Sequence, residues 1–393
     1  MKKWGRYVQM KKFYIILAAL GLVLFSAGCR KSSDTITLTN LDVTDTTINI
    51  KVAGDNMFHS KILKYAKTED GDYDFTSAYS NVRNYIQSAN IAVINQEAPV
   101  VETKRASGYP AFGAPASICQ TLIDTGFDVI LQANNHMADK EQYGIENTIA
   151  EWKKYPQVIY LGIHDTEEDA KKIRFVESKG IKIGMLNYTY GVNRETWPLP
   201  GQEHMIDMIS DEKMQDEIKR AKQLSDLVIV FLHDGTEYTH KPSEEQKSNI
   251  YHCIDYGADI VICAHPHVIQ PYEYVTTPRG NDGLVYYSLG NFFSGQEKLP
   301  TLLGGVADIT LKKELTEDKK TKITITEYGL EPVVMHSVKK EKINTVYLLR
   351  DYTDELAAQT DYGLKHKDYT AQTMWDLYYE VVNSNKASTA TEE

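Results

Sequence analysis

The sequence predicts an α/β fold, because short apolar segments of strand length alternate with segments of helical periodicity over residues 48–300. Two further observations support this fold class. Most apolar segments end abruptly in polar residues, and Gly126 and Gly257 follow two helical segments, where a helix commonly ends. Such alternation is typical of a sheet with helices on both faces. We expect strands at residues 48–53, 91–94, 129–131, 181–186, 227–232, 260–263 and 284–287, and helices at residues 75–89, 115–125, 140–153, 210–224 and 243–256.

The N-terminus has the pattern of a secretory signal. Lysines and an arginine precede an apolar run at 13–25, which is shorter than a membrane span of about 20 residues, and small residues then lead to Cys29. This resembles a lipoprotein signal over residues 1–29, although Ser26 stands where such signals usually have an aliphatic residue. A plain signal peptide or an uncleaved anchor is the alternative. Lipidation of Cys29 would anchor the chain at the outer face of the cell membrane, and the polar residues 30–47 would form a tether.

The C-terminal part is predicted to add a β-hairpin and helices to the core. Residues 303–335 alternate apolar and polar positions around a charged turn, which indicates a hairpin that covers a sheet edge or packs back on the core. Helical spacing follows at 346–360 and 368–383. We expect the whole segment 301–384 to pack on the domain, and the polar tail 385–393 to be disordered.

Composition excludes some classes of partner and site. The formal net charge of −11 argues against nucleic acid as a partner. Beyond Cys29, the three cysteines Cys119, Cys253 and Cys263 form no CxxC pair, so we expect small buried apolar residues rather than a disulfide framework or a thiol site. The 26 tyrosines are spread along the chain, and we interpret them as packing residues with some contact to carbohydrate or polymer.

Polar residues at the ends of the predicted strands indicate a metal site. In VICAHPHVIQ (261–270) an apolar run ends at two histidines that flank a proline, and the fixed backbone between them suits two nitrogen ligands. Each such residue alone would more often be a cap or turn residue. Ligands collect beyond the carboxyl ends of strands, so we expect the set to converge on one edge of one sheet. Its imidazoles, carboxylates and amide oxygen suit two divalent ions of the Mn²⁺, Zn²⁺ or Fe²⁺ type. The set is Asp55, Glu97, Asn135, His136, His233, His265 and His267.

Six segments carry a resemblance to a known family: AGDNMF (53–58), NQEAP (95–99), QANNHMAD (132–139), HDGTEY (233–238), GADIVICAHPHVIQPYE (257–273) and YSLGNFF (287–293). With them the sequence resembles the bacterial capsule-synthesis CapA proteins, which are related to the poly-γ-glutamate biosynthesis protein PgsA. The resemblance implies a four-layer α/β/β/α fold like that of the calcineurin-like metallophosphoesterases. It also implies a capsule polymer and its synthase and export proteins as partners.

The same resemblance implies two adjacent metal positions, with Glu97 as the carboxylate between them. The chain departs from the phosphoesterase pattern at Met57, where a histidine usually follows the first Asp by two positions. This departure removes one ligand from the first position. The first ion would be held by Asp55 and His267, and the second by Asn135, His233 and His265.

The resemblance further implies catalytic and substrate-binding residues. His136 would be the acid or base near the leaving group, with Asp139 orienting it. Glu237 and Asn291 would contact substrate. Asp234 stands where the family often has Trp, and its charge would favour cations and repel an anionic substrate.

Three functional hypotheses follow. The first is a membrane-anchored extracellular protein of capsule or poly-γ-glutamate-type polymer synthesis or export. The second is an autonomous metal-dependent hydrolase of a phosphoester or of an envelope amide. The third is a non-catalytic scaffold that binds a polymer. The sequence has no SxxK or GxSxG motif at a strand end and no Gly-rich phosphate loop, which argues against serine hydrolases and nucleotide-binding proteins.

Overall fold

The computed structural model describes residues 35–39, 45–316, 318 and 320–384. In chain order, the strands are β1 Thr35–Thr39, β2 Thr46–Asn56, β3 Ile91–Gln96, β4 Val100–Val101, β5 Ala114–Pro115, β6 Val129–Leu131, β7 Ile159–Leu161, β8 Arg174–Ser178, β9 Ile181–Thr189, β10 Leu227–His233, β11 Ile260–Ala264, β12 Tyr272–Thr276, β13 Asp282–Tyr286, β14 Asn291–Phe293, β15 Leu303–Leu315, β16 Thr321–Val338 and β17 Ile343–Leu348. The α-helices are α1 Ser60–Ala66, α2 Arg83–Gln87, α3 Ser117–Thr125, α4 Glu141–Trp152, α5 Glu167–Ala170, α6 Asp211–Leu224, α7 Glu244–Tyr256, α8 Leu299–Leu302, α9 Asp354–Gln359, α10 Asp361–Lys365 and α11 Ala371–Val382.

Two large sheets form the framework of the domain. Sheet I has the order β17-β16-β15-β2-β3-β6-β7, with β14 beside β2, and sheet II has the order β1-β8-β9-β10-β11-β13-β12. Strands β2, β3, β6 and β7 run parallel in sheet I, as do β9, β10, β11 and β13 in sheet II. The carboxyl ends of these parallel strands therefore gather along one edge of each sheet.

The sheets pack against each other, and helices cover sheet II on its other face. Strand β10 shows this arrangement, because side chains alternate between the two faces of a strand. Ile229 and Phe231 lie in the core that also contains Val52 of sheet I, whereas the intervening Val230 packs with Ile218 of α6 and neighbouring residues of α7. Helices α2, α3 and α4 pack with residues of sheet I. The prediction of an α/β/β/α fold is confirmed.

Local sequence signals explain where the helices begin and end. Ser243 and Gln246 form a reciprocal capping box at the start of α7, and Gly257 ends it with φ = 117°. Gly126 ends α3 in the same left-handed conformation, with φ = 110°. Both glycine stops agree with the sequence prediction.

The polar tether predicted over residues 30–47 was wrong in part. Thr35–Thr39 form strand β1, which pairs parallel to β8 at the edge of sheet II, and β2 already begins at Thr46. The segment TITLT alternates β-branched and aliphatic residues, which fit a strand even though the surrounding composition is polar. The predicted signal with Cys29 and the predicted tail at 385–393 lie outside the described residues. Among the described residues, no helix has the length and apolar character needed to span a membrane.

The C-terminal hairpin was predicted correctly, and of the two predicted places it takes the sheet edge. Strands β15 and β16 pair antiparallel, and β15 also pairs with β2, so the hairpin extends sheet I. The helix predicted at 346–360 was wrong in its first part, because Ile343–Leu348 form β17 beside β16 and α9 begins only at Asp354. Short apolar runs fit a strand and a buried helix equally well. The helix predicted at 75–89 is reduced to α2, Arg83–Gln87, after a series of turns. Cys119, Cys253 and Cys263 are free and buried, as expected.

A buried charge cluster away from the strand ends predicts how stability depends on pH. His164 Nε2 lies 2.8 Å from Asp207 Oδ2, and its Nδ1 lies 3.5 Å from Asp169 Oδ2. Burial alone would lower the pKa of His164, but the charges and hydrogen bonds of Asp207 and Asp169 raise it from 6.5 to about 9. The folded state therefore binds this proton more tightly than the unfolded chain does.

The stabilisation from protonated His164 should be fully present below about pH 6.5 and lost as pH rises through about 9. A shift of this size corresponds to a loss of about 3 kcal/mol in the free energy of unfolding. Denaturant unfolding at several pH values measures it, with His164→Gln as the comparison. The variant should show a flatter dependence between these limits, and an equally steep dependence in both proteins would contradict the assignment.

Candidate metal centre

The candidate site lies where the carboxyl ends of strands from both sheets meet. Asp55 lies in β2, Glu97 follows β3, and the Asn135-His136 pair follows β6, all in sheet I. His233 ends β10 in sheet II, and the His-Pro-His segment follows β11. The expectation of one edge of one sheet was therefore wrong. Strand periodicity shows which face of a strand is buried, but it does not show which strands share a sheet.

Five of the predicted residues form two overlapping triads that share Glu97, and a sixth lies against one of these triads. The ligand atoms of Glu97, His233 and His265 lie within 4.8 Å of one another, and so do those of Asp55, Glu97 and His267. Asn135 joins the first triad, because its Oδ1 lies 2.9 Å from His233 Nε2. Glu97 is thus the carboxylate common to both halves.

Glu97 is buried, and none of the described residues donates a hydrogen bond to either of its carboxylate oxygens. The nearest imidazole nitrogens are His233 Nε2 at 3.4 Å and His267 Nδ1 at 3.9 Å. The Nδ1 atom of His265 is also buried and has no hydrogen-bond partner within the described part of the chain. Buried polar groups are almost always satisfied, and unpaired ones that face each other indicate a ligand. The donor set of carboxylate, imidazole and amide oxygen fits divalent ions of the Mn²⁺, Zn²⁺ or Fe²⁺ type.

The electrostatics of the cluster also suit cations. Burial lowers the pKa of His233 to about 3 and that of His265 to about 2, so both imidazoles are neutral at pH 7, as metal ligands must be. Burial and the charge of Asp55 raise the pKa of Glu97 well above its usual value. Burial opposes protonation of His267, but Glu97 and Asp55 together raise its pKa to about 9. The two adjacent carboxylates therefore attract positive charge.

The His-Pro-His segment has an unusual backbone. His265 has φ = 105° and His267 has φ = 60°. Both values lie in the left-handed region of backbone angles, which residues other than glycine rarely adopt. Such a conformation costs about 1–3 kcal/mol per residue and clusters at functional sites. Both side chains are buried, their ring centroids lie 5.9 Å apart, and His267 Nδ1 lies 3.0 Å from Asp55 Oδ2. Pro266 separates two imidazoles that serve the two halves of the cluster.

Hydrogen bonds orient the ligands from outside the cluster. Asn95 donates from Nδ2 to Asp55 Oδ1 at 2.8 Å, and the same nitrogen lies 3.3 Å from His233 Nδ1. One amide thus connects the two halves of the site. Outer contacts of this kind hold ligands in the geometry that a metal requires. Asn95 belongs to the NQEAP segment, but its role was missed because only the carboxylate of that segment was considered.

His136 and Asp139 form a pair beside the cluster. His136 Nδ1 lies 2.7 Å from Asp139 Oδ2, which also accepts a hydrogen bond from the backbone N–H of Phe112 at 2.7 Å. The Phe112 ring packs edge-on against His136, with centroids 4.6 Å apart. Both residues of the pair lie in a series of turns that precedes α4, and not within a helix. Because Nδ1 of His136 contacts Asp139, Nε2 is the ring nitrogen that does not take part in this contact.

The remaining predicted residues lie around the cluster. Glu237 is 42% exposed, with Oε1 3.7 Å from His267 Nε2. Asn291 pairs in register with Asp55 on the neighbouring strand, and its Nδ2 donates to Gln296 and to a backbone carbonyl. Asp234 accepts hydrogen bonds from Asn249 and from a backbone N–H, so both of its oxygens are already engaged.

The loop after β9 contributes residues that the sequence did not single out. Asn193 Nδ2 lies 3.3 Å from His136 Nδ1, and its backbone N–H donates to the carbonyl of Asn135 at 2.8 Å. The Tyr190 ring lies 4.7 Å from that of His265. Asn187, a polar residue near the end of the preceding strand, was a weak sign that this loop lies near the site. The loop reaches the site only through tertiary packing, which the local sequence does not show.

The fold and the cluster together define an α/β/β/α protein with a buried set of ligands suited to two divalent metal ions. The sequence model of the bacterial capsule synthesis protein PGA_cap matches residues 49–296, and the chain belongs to this family. The chain is 26% identical over 304 residues to the capsule biosynthesis protein CapA of Bacillus anthracis, covering 75% of this chain and 70% of that protein. It is also 26% identical over 322 residues to the PGA biosynthesis protein CapA of Bacillus subtilis strain 168, covering 79% of each.

Solved structures with some likeness to the chain include two nucleotidases. A protein assigned as a 5′-nucleotidase from Staphylococcus aureus aligns with a TM-score of 0.42 and 15% identity. The 5′-nucleotidase of Candida albicans SC5314 aligns with a TM-score of 0.36 and 13% identity. In both cases the alignment covers 72% of this chain and 54% of the other, so this chain spans about half of their length.

Proposed function

We propose that the chain is a metal-dependent phosphoester hydrolase that acts in the synthesis or export of a capsule or poly-γ-glutamate-type polymer. The observation that carries the proposal is the pair of ligand triads that share Glu97. Two-metal sites with such a shared carboxylate are typical of enzymes that cleave phosphoesters. The polymer is inferred from the family and from the two CapA relatives, whose names refer to capsule and PGA biosynthesis.

The residues of the cluster would hold two divalent ions. Asp55 and His267 would hold one, Asn135, His233 and His265 would hold the other, and Glu97 would contact both. Ions bound there would supply positive charge against the negative charge that develops on the phosphoryl oxygens.

The chain itself would supply proton transfer and orientation. The carboxylate of Asp139 holds Nδ1 of His136, so Nε2 is the nitrogen that would protonate the departing oxygen. Asn193 contacts this imidazole and the backbone of Asn135, and it would keep the two in fixed relation. The buried surroundings would exclude bulk water, apart from the one water molecule that attacks phosphorus and is consumed in hydrolysis, and would strengthen these interactions.

The proposed location follows from the N-terminus. A lipid on Cys29 would anchor the protein at the outer face of the membrane, where a surface polymer is assembled. Release of the protein from membranes by Cys29→Ser would support this part of the proposal, independently of any activity.

A non-catalytic scaffold is the second candidate, and Met57 favours it. This buried thioether stands where phosphoesterases have a ligand histidine. A thioether is a poor ligand for Mn²⁺ or Zn²⁺, so the half of the site at Asp55 would bind its ion more weakly. A protein that binds a single ion and cleaves nothing would fit this reading.

Metal content and hydrolysis together test the proposal. The full chain in detergent should bind about two Mn²⁺ or Zn²⁺ ions per molecule and hydrolyse p-nitrophenyl phosphate. Asp55→Ala and His265→Ala should each lower the metal content and reduce the rate by at least about a hundredfold. His252→Ala, on the surface of α7, is the matched control and should change neither. One bound ion without hydrolysis would support the scaffold, and no bound ion would overturn both the metal site and the enzyme.

A further inference from the structure

Three exposed tyrosines lie beside the candidate metal centre, two against its histidines and one against Phe112. Tyr109 is 70% exposed, Tyr190 is 48% exposed and Tyr238 is 49% exposed. Large rings are usually buried, so exposed rings gathered at a site indicate binding. Hereafter these three residues are called the tyrosine rim.

Two rings of the tyrosine rim pack against an imidazole of the site, and the third packs against a phenylalanine that itself contacts an imidazole. The Tyr190 ring lies 4.7 Å from that of His265, and the Tyr238 ring lies 5.8 Å from that of His267. Tyr109 packs on Phe112 at 6.2 Å, and Phe112 in turn packs on His136. The rim therefore borders both halves of the metal cluster and the His136 pair.

Tyr238 is held in place at a cost in backbone strain. Its φ is 62°, in the left-handed region, and its backbone N–H donates to the carbonyl of Pro266 at 2.8 Å. Gln296 donates to its hydroxyl at 3.3 Å, and the ammonium of Lys298 lies 5.4 Å from its ring centre. A ring fixed in this way loses little entropy when a ligand packs on it.

We propose that the tyrosine rim binds a sugar ring attached to the phosphate that the cluster cleaves, so the substrate class is a saccharide phosphoester. This deepens the proposed function and rests on it. The apolar C–H face of a sugar packs on an aromatic ring, while its hydroxyls pair with phenol groups. The half-exposed carboxylate of Glu237 beside the rim accepts hydrogen bonds from neutral hydroxyls and repels a polymer of carboxylates. Contacts remote from the reacting bond would provide specificity for the sugar.

Two ligands that cannot be hydrolysed test this assignment by calorimetry on the Mn²⁺-loaded full chain. Methylphosphonate carries only the charged group, and C-linked glucosylmethylphosphonate adds the sugar ring. The glucosyl ligand should bind about tenfold more tightly than methylphosphonate, the effect of one or two good ring contacts. Tyr190→Ala and Tyr238→Ala should each remove most of this difference, measured as the ratio of the two dissociation constants within the same variant.

Controls separate the rim from the metal cluster and from general surface effects. Tyr274→Ala removes an exposed tyrosine on β12 that packs on Tyr328, and it should leave the tenfold difference intact. Tyr238→Phe keeps the ring, removes the hydroxyl, and should retain part of the preference. If methylphosphonate binds and glucose adds nothing, the rim assignment is overturned while the phosphoester function stands. If neither ligand binds, the proposed function fails together with the rim. Tighter binding of a γ-linked glutamate tetramer through these tyrosines would also overturn the assignment.

Discussion

Glu97→Gln is expected to stabilise the metal-free protein and to abolish its stabilisation by metal ions. Neither oxygen of the Glu97 carboxylate accepts a hydrogen bond from any residue that the structure describes, although the side chain is fully buried. Burial and the nearby charge of Asp55 raise its pKa, so the charged form is unfavourable where it stands. A neutral amide of the same size removes that repulsion and should raise the free energy of unfolding by about 1–3 kcal/mol.

Added Mn²⁺ should stabilise the parent much more than the variant. An ion at a hundred times its dissociation constant stabilises the folded parent by about 2.7 kcal/mol, and the variant lacks the carboxylate that both triads share. Thermal unfolding with a chelator and with Mn²⁺ measures both effects. The parent should gain stability with the metal, and Glu97→Gln should gain little.

The pH dependence gives this prediction a second readout. The pKa of Glu97 is raised in the folded state, so its contribution to stability falls as pH rises above the ordinary value of 4.5. The advantage of the glutamine variant in chelator should therefore grow with pH. Glu244→Gln, at an exposed position on α7, is the matched control and should show neither effect. If the variant is less stable than the parent in chelator, the prediction is wrong, because the Glu97 carboxylate would then stabilise the protein even without metal.

Residues of the candidate site could be predicted from the sequence where side chains able to bind metal stand at the end of a buried strand. The buried strands β2, β3, β6, β10 and β11 end in polar residues or are followed at once by them, and the clustered residues come from these places. The residue types that gather in the cluster could be read locally. What could not be read was that β2, β3 and β6 belong to one sheet and β10 and β11 to another, because sheet membership depends on pairing between distant parts of the chain.

Backbone conformation and loop packing were the other unpredictable parts. The positive φ angles of His265 and His267 are imposed by the surrounding structure against the preference of their own side chains. Asn193 and Tyr190 approach the site only because the loop after β9 crosses over it. In β1, polar threonines gave the segment the composition of a tether, whereas their β-branched shape suits the edge of a sheet. In each case tertiary contacts outweigh the local signal.

His136→Ala is expected to abolish most hydrolysis while leaving the metal content unchanged. His136 is outside both ligand triads, and its Nδ1 is held by Asp139 at 2.7 Å, so it is placed for proton transfer and not for binding an ion. Loss of a general acid typically lowers the rate by about 10²- to 10⁴-fold. Asp139→Asn should cause a smaller loss, because the imidazole remains but its tautomer and orientation are no longer set by a carboxylate.

A comparison of two substrates with different leaving groups shows whether His136→Ala has lost acid catalysis. Nitrophenolate departs without a proton, whereas an alkoxide such as that of a sugar or glycerol needs one at the moment of bond cleavage. His136→Ala should therefore reduce hydrolysis of glycerol 3-phosphate far more than hydrolysis of p-nitrophenyl phosphate. Initial rates with both substrates, together with metal content, measure this. Equal losses on the two substrates with full metal content would assign His136 to substrate binding, and a loss of metal would make it a ligand. Only the unequal loss agrees with a pair in which Asp139 holds one nitrogen so that the other can deliver a proton.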